Sequence, residues 1–256
     1  MSSSLYTKSL YLNKEIDYIL NCEIREYDLK SAGLSISKQF NLLPKKTISY
    51  LENMGKEARN VEMGMLQKDK GFAKALSEGF KEARKLFFEA NDLEDYDVLS
   101  IKKDAIFIVK KRCINNVIGH LEFRVKNEYL GYMLLNRNEF YYKNSSHPLD
   151  VKGLGKDCEY YHGDYMLDFI HDIFSLAIYA PRISLIKYLT DFISDYRNNL
   201  LAYGYYRHLD ETNFYDVIDD ESGLMRIIDV DDNEDVKLDI TYNYFNYLVP
   251  IVNIFI

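Results

Sequence analysis

The sequence predicts an α+β protein, because strand-like and helix-like patterns alternate along the chain. A strand pattern passes into a helical one within residues 20–36, residues 69–92 have the pattern of a long amphipathic helix, and residues 98–109 have that of a hairpin. With 256 residues, 47% of them apolar, the chain can bury a core in one large domain or two small ones.

The first half of the chain supplies these patterns in order. Cys22 and Ile24 alternate with charged residues, as in a half-exposed strand, and the pattern becomes helical after Asp28. Residues 45–67 predict one or two helices, interrupted near Gly55. The long helix that follows has apolar residues at helical spacing, namely Phe72, Leu76, Phe80, Ala83 and Phe87.

The hairpin has strand-forming residues on both sides of Lys102, Lys103 and Asp104, so these three are predicted to form a tight turn. A link that contains Gly and Pro follows at residues 145–157, and residues 164–203 are predicted to be mainly helical. The remaining strands are predicted at residues 120–126, 129–135, 138–143, 224–230 and 236–249.

The composition favours an intracellular protein. No run of about 18 apolar residues predicts a membrane span, and the N-terminus lacks the apolar block of a signal peptide. Cys22, Cys113 and Cys158 are too widely spaced for a disulfide framework or a metal-binding pair. The chain has 23 Tyr and no Trp, with many Asn, Lys and Ile, a bias that suggests an AT-rich genome such as a phage's. We therefore expect a cytoplasmic protein of a phage-infected bacterium, with no membrane partner.

The net charge of −8 argues against nucleic-acid binding only if it is spread evenly, because phosphate binding needs surplus Lys and Arg. It is not: residues 210–239 hold twelve acidic and two basic residues, a net of −10, so the other 226 residues carry +2. A basic surface elsewhere in the chain stays compatible with this composition.

Two aspartates stand at the ends of predicted strands. Asp28 ends the first strand and Asp104 lies at the tip of the hairpin. If those strands are neighbours in one sheet, the two carboxylates converge and can bind Mg²⁺, which takes a few carboxylates and completes its coordination with water and phosphate oxygens. Two such ions, about 3.5–4 Å apart, are the usual machinery of phosphoryl and nucleotidyl transfer.

Four segments resemble motifs of family B DNA polymerases. DLKSAGLSI, residues 28–36, resembles motif A, D-x-x-S-L-Y-P-S-I, with the aspartate, both serines and the isoleucine in register. LSIKKDAIFI, residues 99–108, is similar to motif C, Y-G-D-T-D-S-I-F-V, whose second aspartate matches Asp104. KEARNVEMG, residues 56–64, resembles motif B, K-x-x-x-N-S-x-Y-G, and LDVKGL, residues 149–154, looks like the lysine-glycine strand that follows the primer-gripping part of the palm.

The resemblance implies a fold and an activity. The resemblance covers about residues 20–157 and implies a palm-like antiparallel sheet with packed helices over residues 1–157, including short fingers at about residues 40–68. The residue pattern of the remainder, residues 158–256, predicts a helical, thumb-like region that ends in strands. The resemblance further implies a nucleotidyltransferase that uses two Mg²⁺ or Mn²⁺ ions, nucleoside triphosphates and a primer–template nucleic acid, alone or with other polymerase subunits.

The resemblance also assigns roles to single residues. Asp28 and Asp104 would be catalytic and would hold the metal ions. The nucleotide-binding residues would be Lys56, Asn60, Gly33 and Ser31. The candidate nucleic-acid-binding residues are the cations Lys102, Lys103, Lys110, Lys111, Arg112 and Lys152.

The chain departs from the family pattern at several positions. Lys102 stands where motif C has its first aspartate, and motif B follows Asp28 by only 28 residues. Gly33 replaces the tyrosine that blocks a ribose 2′-hydroxyl in the family, so ribonucleotides are expected to fit unless Met63 or Tyr27 fills the gap.

Two other functions stay open on these grounds. One is a non-catalytic palm derivative that binds a protein partner or nucleic acid, which Lys102 and the short fingers favour. The other is a phage regulator whose acidic segment, residues 210–239, mimics the charge of DNA.

Overall fold

The computed structural model describes residues 4–135, 138–152, 156–198, 200–201, 208–209, 214–219, 225–228 and 248–256, with the backbone alone for residues 156–166, 208–209, 214–219 and 225–228. The helices are α1 (Ala32–Gln39), α2 (Lys45–Glu52), α3 (Lys56–Leu66), α4 (Lys70–Ala90), α5 (Lys156–Tyr179), α6 (Arg182–Arg197) and α7 (Val249–Phe255), with 3₁₀ turns at Leu5–Thr7 and Asp95–Asp97. The strands are β1 (Leu10–Leu12), β2 (Tyr18–Leu29), β3 (Val98–Lys102), β4 (Ala105–Val109), β5 (Val117–Ile118), β6 (Leu121–Leu135), β7 (Asn138–Tyr142), β8 (Leu149–Lys152), β9 (His208–Leu209), β10 (Phe214–Asp219) and β11 (Met225–Ile228). The protein is therefore α+β, as the sequence predicts.

The first of two compact units comprises residues 1–15 and 23–128. Its antiparallel strands lie in the order β1-β3-β4-β2-β6. One face of this sheet, with Tyr27 and Ile106, packs against Phe87 of α4 in a single apolar core. Because side chains alternate along a strand, Glu26 and Asp28 on either side of Tyr27 lie on the opposite face. The periodic apolar residues of the sequence thus build the core and leave the charged ones on the other face.

The second unit comprises residues 16–22 and 129–256. Here the C-terminal half of β6 pairs with β7, and β7 pairs with β8. Phe140 of β7 is buried with Phe169 of α5 and Leu189 of α6 in a second apolar core. None of the helices in the described part of the chain is long and apolar enough to cross a membrane.

The two strands predicted at residues 120–126 and 129–135 are one continuous strand, β6. The polar residues between them have the sequence of a turn, but their side chains have partners on β2. Lys126 and Asn127 both bind the carboxylate of Glu26, and Glu128 pairs with Arg25. The prediction of a break was wrong because these cross-strand partners are about a hundred residues away in sequence.

The end of the chain also differs from the prediction. The strand predicted at residues 236–249 lies outside the described residues up to position 247, and a helix, α7, begins at Val249. Pro250 lies in the first turn of this helix, where its missing N–H has no intrahelical acceptor, and Ile251 and Phe255 bury one face. Most of the acidic segment, residues 210–239, also lies outside the described residues.

Candidate active site

Strand pairing places Asp28 and Asp104 at the same end of the first unit's sheet. β2 pairs with β4 so that Asp28 lies opposite Ala105, and Asp104 comes immediately before Ala105. Lys103 and Asp104 form the two-residue turn between β3 and β4, with Lys103 at a positive φ of 57°. A positive φ at the first position of a two-residue turn suits the twist of a hairpin, although glycine or asparagine adopts it more readily than lysine.

The two carboxylates lie within electrostatic reach of each other. Burial raises the pKa of the half-buried Asp104 above its ordinary value, a backbone hydrogen bond to its carboxylate opposes this, and the charge of Asp28 raises the pKa further. Lys126 and Lys103 act in the opposite direction. Asp104 is therefore a carboxylate whose ionised form is disfavoured by its own site, which is common for functional groups.

Cationic side chains of β6 face the carboxylates of β2. Arg124 Nη2 lies 3.3 Å from Asp28 Oδ2, and Lys126 Nζ lies 3.0 Å from Oε1 of the buried Glu26. The hydrogen bond to Glu26 raises the pKa of Lys126, burial opposes this, and the charges of Asp28 and Asp104 raise it as well. These partners of the two carboxylates were not predicted from the sequence. For Glu26 the sequence did contain a signal: residues two apart on a strand lie on the same face, so Glu26 lies on the same face as Asp28.

A cavity of about 340 Å³ brings together the three segments that resemble motifs A, B and C. Its lining comprises Ser31, Ala32, Gly33, Leu34, Arg59, Asn60, Met63, Gln67, Leu76, Phe80, Lys103 and Asp104. The lining is apolar on the side of α4 and polar at the hairpin turn, and α3 contributes both the polar Arg59 and Asn60 and the apolar Met63. Of the residues predicted to bind nucleotide, Ser31, Gly33 and Asn60 lie in this cavity.

Two contacts connect α3 to the start of α1 across this cavity. Arg59 Nη2 donates to Ser31 Oγ at 3.1 Å. A Cβ added at Gly33 would lie 2.8 Å from Met63 Cε, so the methyl group of Met63 occupies the space that a side chain at position 33 would need. Tyr27 does not fill that space, because its buried hydroxyl accepts a hydrogen bond from Cys113 N in the apolar core.

The remaining predicted cations lie in several places. Lys103 lines the cavity, whereas Lys56 is exposed at the first position of α3 and does not line it; Arg59, one turn later, does. Lys102 ends β3, beside the turn.

The basic run predicted to contact nucleic acid follows the far end of β4. The five residues of β4, a length of about 16 Å, separate Asp104 from Lys110, Lys111 and Arg112. Lys111 is also engaged, with Asp97 at 3.4 Å and with the carbonyl of Asp92. Lys152 lies in the second unit, on β8.

The site offers two carboxylates rather than a full set of protein ligands for a metal. Among the described residues, no group of three or more His, Cys, Asp or Glu side chains is arranged to hold a metal ion. Asp28 and Asp104 still fit Mg²⁺ or Mn²⁺, because Mg²⁺ is commonly bound by one or two carboxylates and completes its coordination with water and substrate phosphates. A cation between them would offset the repulsion that raises the pKa of Asp104. Arg124 already occupies one oxygen of Asp28 and would compete with such an ion.

Comparison with known proteins gives a family but no described activity. No curated protein matches the chain. The whole chain, residues 1–256, matches the family described as bacteriophage PBS1 gene 130 protein. The protein is thus a phage protein that belongs to the bacteriophage PBS1 gene 130 protein family.

Proposed function

We propose that this protein is a metal-dependent nucleotidyltransferase built on a polymerase-like palm. The observation that carries the proposal is the cavity shared by residues 31–34, residues 59–63 and the Lys103–Asp104 turn. These segments are far apart in sequence, and each lies in a stretch that resembles a different motif of family B DNA polymerases. The pairing of β2 with β4, which brings Asp28 next to the hairpin, supports the same reading.

The side chains suit the chemistry of nucleotide addition. Asp28 and Asp104 would hold Mg²⁺ or Mn²⁺, which would activate a primer 3′-hydroxyl for attack on the α-phosphate and stabilise the departing pyrophosphate. Arg59 and Lys103 would neutralise triphosphate charge from two sides of the cavity. The first residues of α1 also line the cavity, and the N–H groups at the start of a helix are suited to phosphate oxygens. The substrates would be nucleoside triphosphates and a primer–template nucleic acid.

The alternative is a non-catalytic palm derivative that binds nucleic acid or a protein partner such as another polymerase subunit. The ion pair between Arg124 and Asp28 favours it, because a guanidinium bound to a metal ligand disfavours the metal. Lys102, where motif C has an aspartate, favours it as well.

The test is primer extension and de novo synthesis by the full chain with Mg²⁺ or Mn²⁺, using both ribonucleotides and deoxyribonucleotides. We expect incorporation by the wild type and loss of at least two orders of magnitude in Asp28→Asn and Asp104→Asn. Asp95→Asn, an exposed aspartate of the second 3₁₀ turn, is the matched control and should keep full activity.

Two results would count against the enzyme. Equal activity in wild type and Asp104→Asn would remove the proposed site. Absence of incorporation together with salt-sensitive nucleic-acid binding would support the binding alternative, since phosphate neutralisation releases counterions.

A further inference from the structure

Helix α4 carries a buried guanidinium next to the hairpin turn. Arg84 is only 2% exposed. It follows Leu76 and Phe80 at intervals of four residues, and those two line the cavity. Because residues four apart share a helix face, Arg84 continues the cavity-facing side of α4 toward the turn.

The guanidinium binds two backbone carbonyls. Arg84 Nη1 donates to the carbonyl of Lys103 at 2.8 Å, and Arg84 Nε donates to the carbonyl of Tyr6 at 2.8 Å. The N–H of Lys103 in turn donates to the carbonyl of Ser9 at 2.7 Å. Both backbone groups of Lys103 are therefore held, and Lys103 is the residue with positive φ immediately before Asp104.

The burial of this charge is costly for stability. Burial lowers the pKa of Arg84 to about 10, and the charge of Asp104 opposes that shift. Among the described residues, no carboxylate lies within ion-pair distance of Arg84. A buried cation without a directly paired anion is a poor source of stability compared with a well-packed apolar side chain. Its contacts with the turn are the feature that an apolar residue could not reproduce.

We propose that Arg84 is a positioning residue that fixes the Lys103–Asp104 turn and so sets the Asp104 carboxylate against Asp28 for metal binding. The metal-binding part of this inference rests on the proposed function. Arg84 acts through the backbone of Lys103 and does not itself touch substrate or metal. Removing a residue that orients a metal ligand without touching the metal typically weakens metal affinity by about 10–100-fold.

The test compares three full-length variants with the wild type. Arg84→Met removes the charge and the donors at similar length, and Arg84→Lys keeps the charge and one donor group. Asn91→Ala is the matched control, because Asn91, at the C-terminal end of the same helix, donates a buried hydrogen bond to the carbonyl of Phe87 and a partly buried one to the carbonyl of Asn115. Mn²⁺ affinity is measured by electron paramagnetic resonance, with Mn²⁺ alone and with an α,β-methylene nucleoside triphosphate. Hydrogen–deuterium exchange of residues 98–109 is measured in parallel, well below the melting temperature of each variant.

The sign of the change in Mn²⁺ affinity separates positioning from simple charge. Loss of a nearby positive charge alone would tighten Mn²⁺ binding to the carboxylates. We expect the opposite: about tenfold or more weaker binding in Arg84→Met, partial recovery in Arg84→Lys and no change in Asn91→Ala. Equal or tighter binding in Arg84→Met would overturn the inference.

The exchange measurement keeps this inference separate from the proposed function. If the wild type does not bind Mn²⁺, the proposed function fails and exchange alone decides the role of Arg84. Faster exchange of the hairpin in Arg84→Met, with unchanged exchange in Asn91→Ala, would show that Arg84 holds the turn. Unchanged exchange in Arg84→Met would overturn that role too.

Discussion

The contact of Met63 with Gly33 can be tested by a double-mutant cycle. A Cβ at position 33 would lie 2.8 Å from Met63 Cε, whereas ordinary contact begins at 3.4 Å. Gly33→Ala must therefore move the methyl group by about 0.6 Å or more. Helix propensity favours alanine by up to about 1 kcal/mol, and an off-rotamer methionine costs about 0.5–1.5 kcal/mol. We expect these effects to cancel, so that Gly33→Ala alone changes the free energy of unfolding by less than about 0.5 kcal/mol.

Removing the methionine side chain should uncouple the two effects. Met63→Ala alone should cost about 2 kcal/mol, the lower end of the range for a buried methionine, because the side chain borders an open cavity. In that background Gly33→Ala meets no methyl group and should stabilise the protein by the full helix-propensity gain of about 1 kcal/mol. The coupling energy of the pair is therefore about 1 kcal/mol.

Urea denaturation of the four proteins measures this coupling, provided that the dependence of unfolding free energy on urea is the same for all. The control is Gly64→Ala. Gly64 lies on α3, next to Met63 in sequence, and an added Cβ there has nothing within 4 Å. Gly64→Ala should have the same effect with and without Met63→Ala. Additivity of Gly33→Ala and Met63→Ala within about 0.3 kcal/mol would refute the contact on which this reasoning rests.

Three further outcomes follow from the site. Asp104→Asn should raise the melting temperature at pH 7. The pKa of Asp104 is higher in the folded protein than its ordinary value of 3.8, so the wild type loses stability as the pH rises from 3.8 through the folded-state pKa. A gain in melting temperature that persists unchanged below pH 3.8 would contradict this. Arg124→Met should tighten Mn²⁺ binding by about tenfold, because it frees Asp28 from its ion pair. The control Lys30→Met, which breaks the neighbouring exposed pair with Glu122, should leave Mn²⁺ affinity unchanged. Equal Mn²⁺ affinities of Arg124→Met and the wild type would count against competition between Arg124 and the metal. Because the methyl group of Met63 occupies the space over Gly33, the wild type should prefer deoxyribonucleotides, and Met63→Ala should raise the share of ribonucleotides incorporated; an unchanged share in Met63→Ala would count against Met63 as the block.

The elements that the sequence predicted well depend on local signals. The helix pattern at residues 69–92 corresponds to α4, and the break near Gly55 separates α2 from α3. The turn at Lys103 and Asp104 is where the hairpin pattern predicted it. Periodicity and turn chemistry are properties of neighbouring residues, so they can be read without knowing the fold.

The features that the sequence did not predict depend on distant partners. The continuity of β6 rests on bonds from Lys126 and Asn127 to Glu26, which no local pattern indicates. The two aspartates could be selected from motif resemblance, but Arg84 could not, because its partner is a backbone carbonyl rather than a recognisable residue type. The competing guanidinium of Arg124 was likewise out of reach, since β2 and β6 are about a hundred residues apart.

Helix α3 has one buried residue, Met63, among its eleven. Segments that bury few apolar groups open with free energies well below that of global unfolding, and a protease cleaves them in the opened state. Limited proteolysis should therefore cut within α3 before it cuts α4, which buries six residues. Any molecule that binds Arg59 or Asn60 in the cavity would add its binding free energy to the closed state and slow this cleavage. Protection of α3 from protease thus gives a screen for ligands that requires no assumption about the reaction.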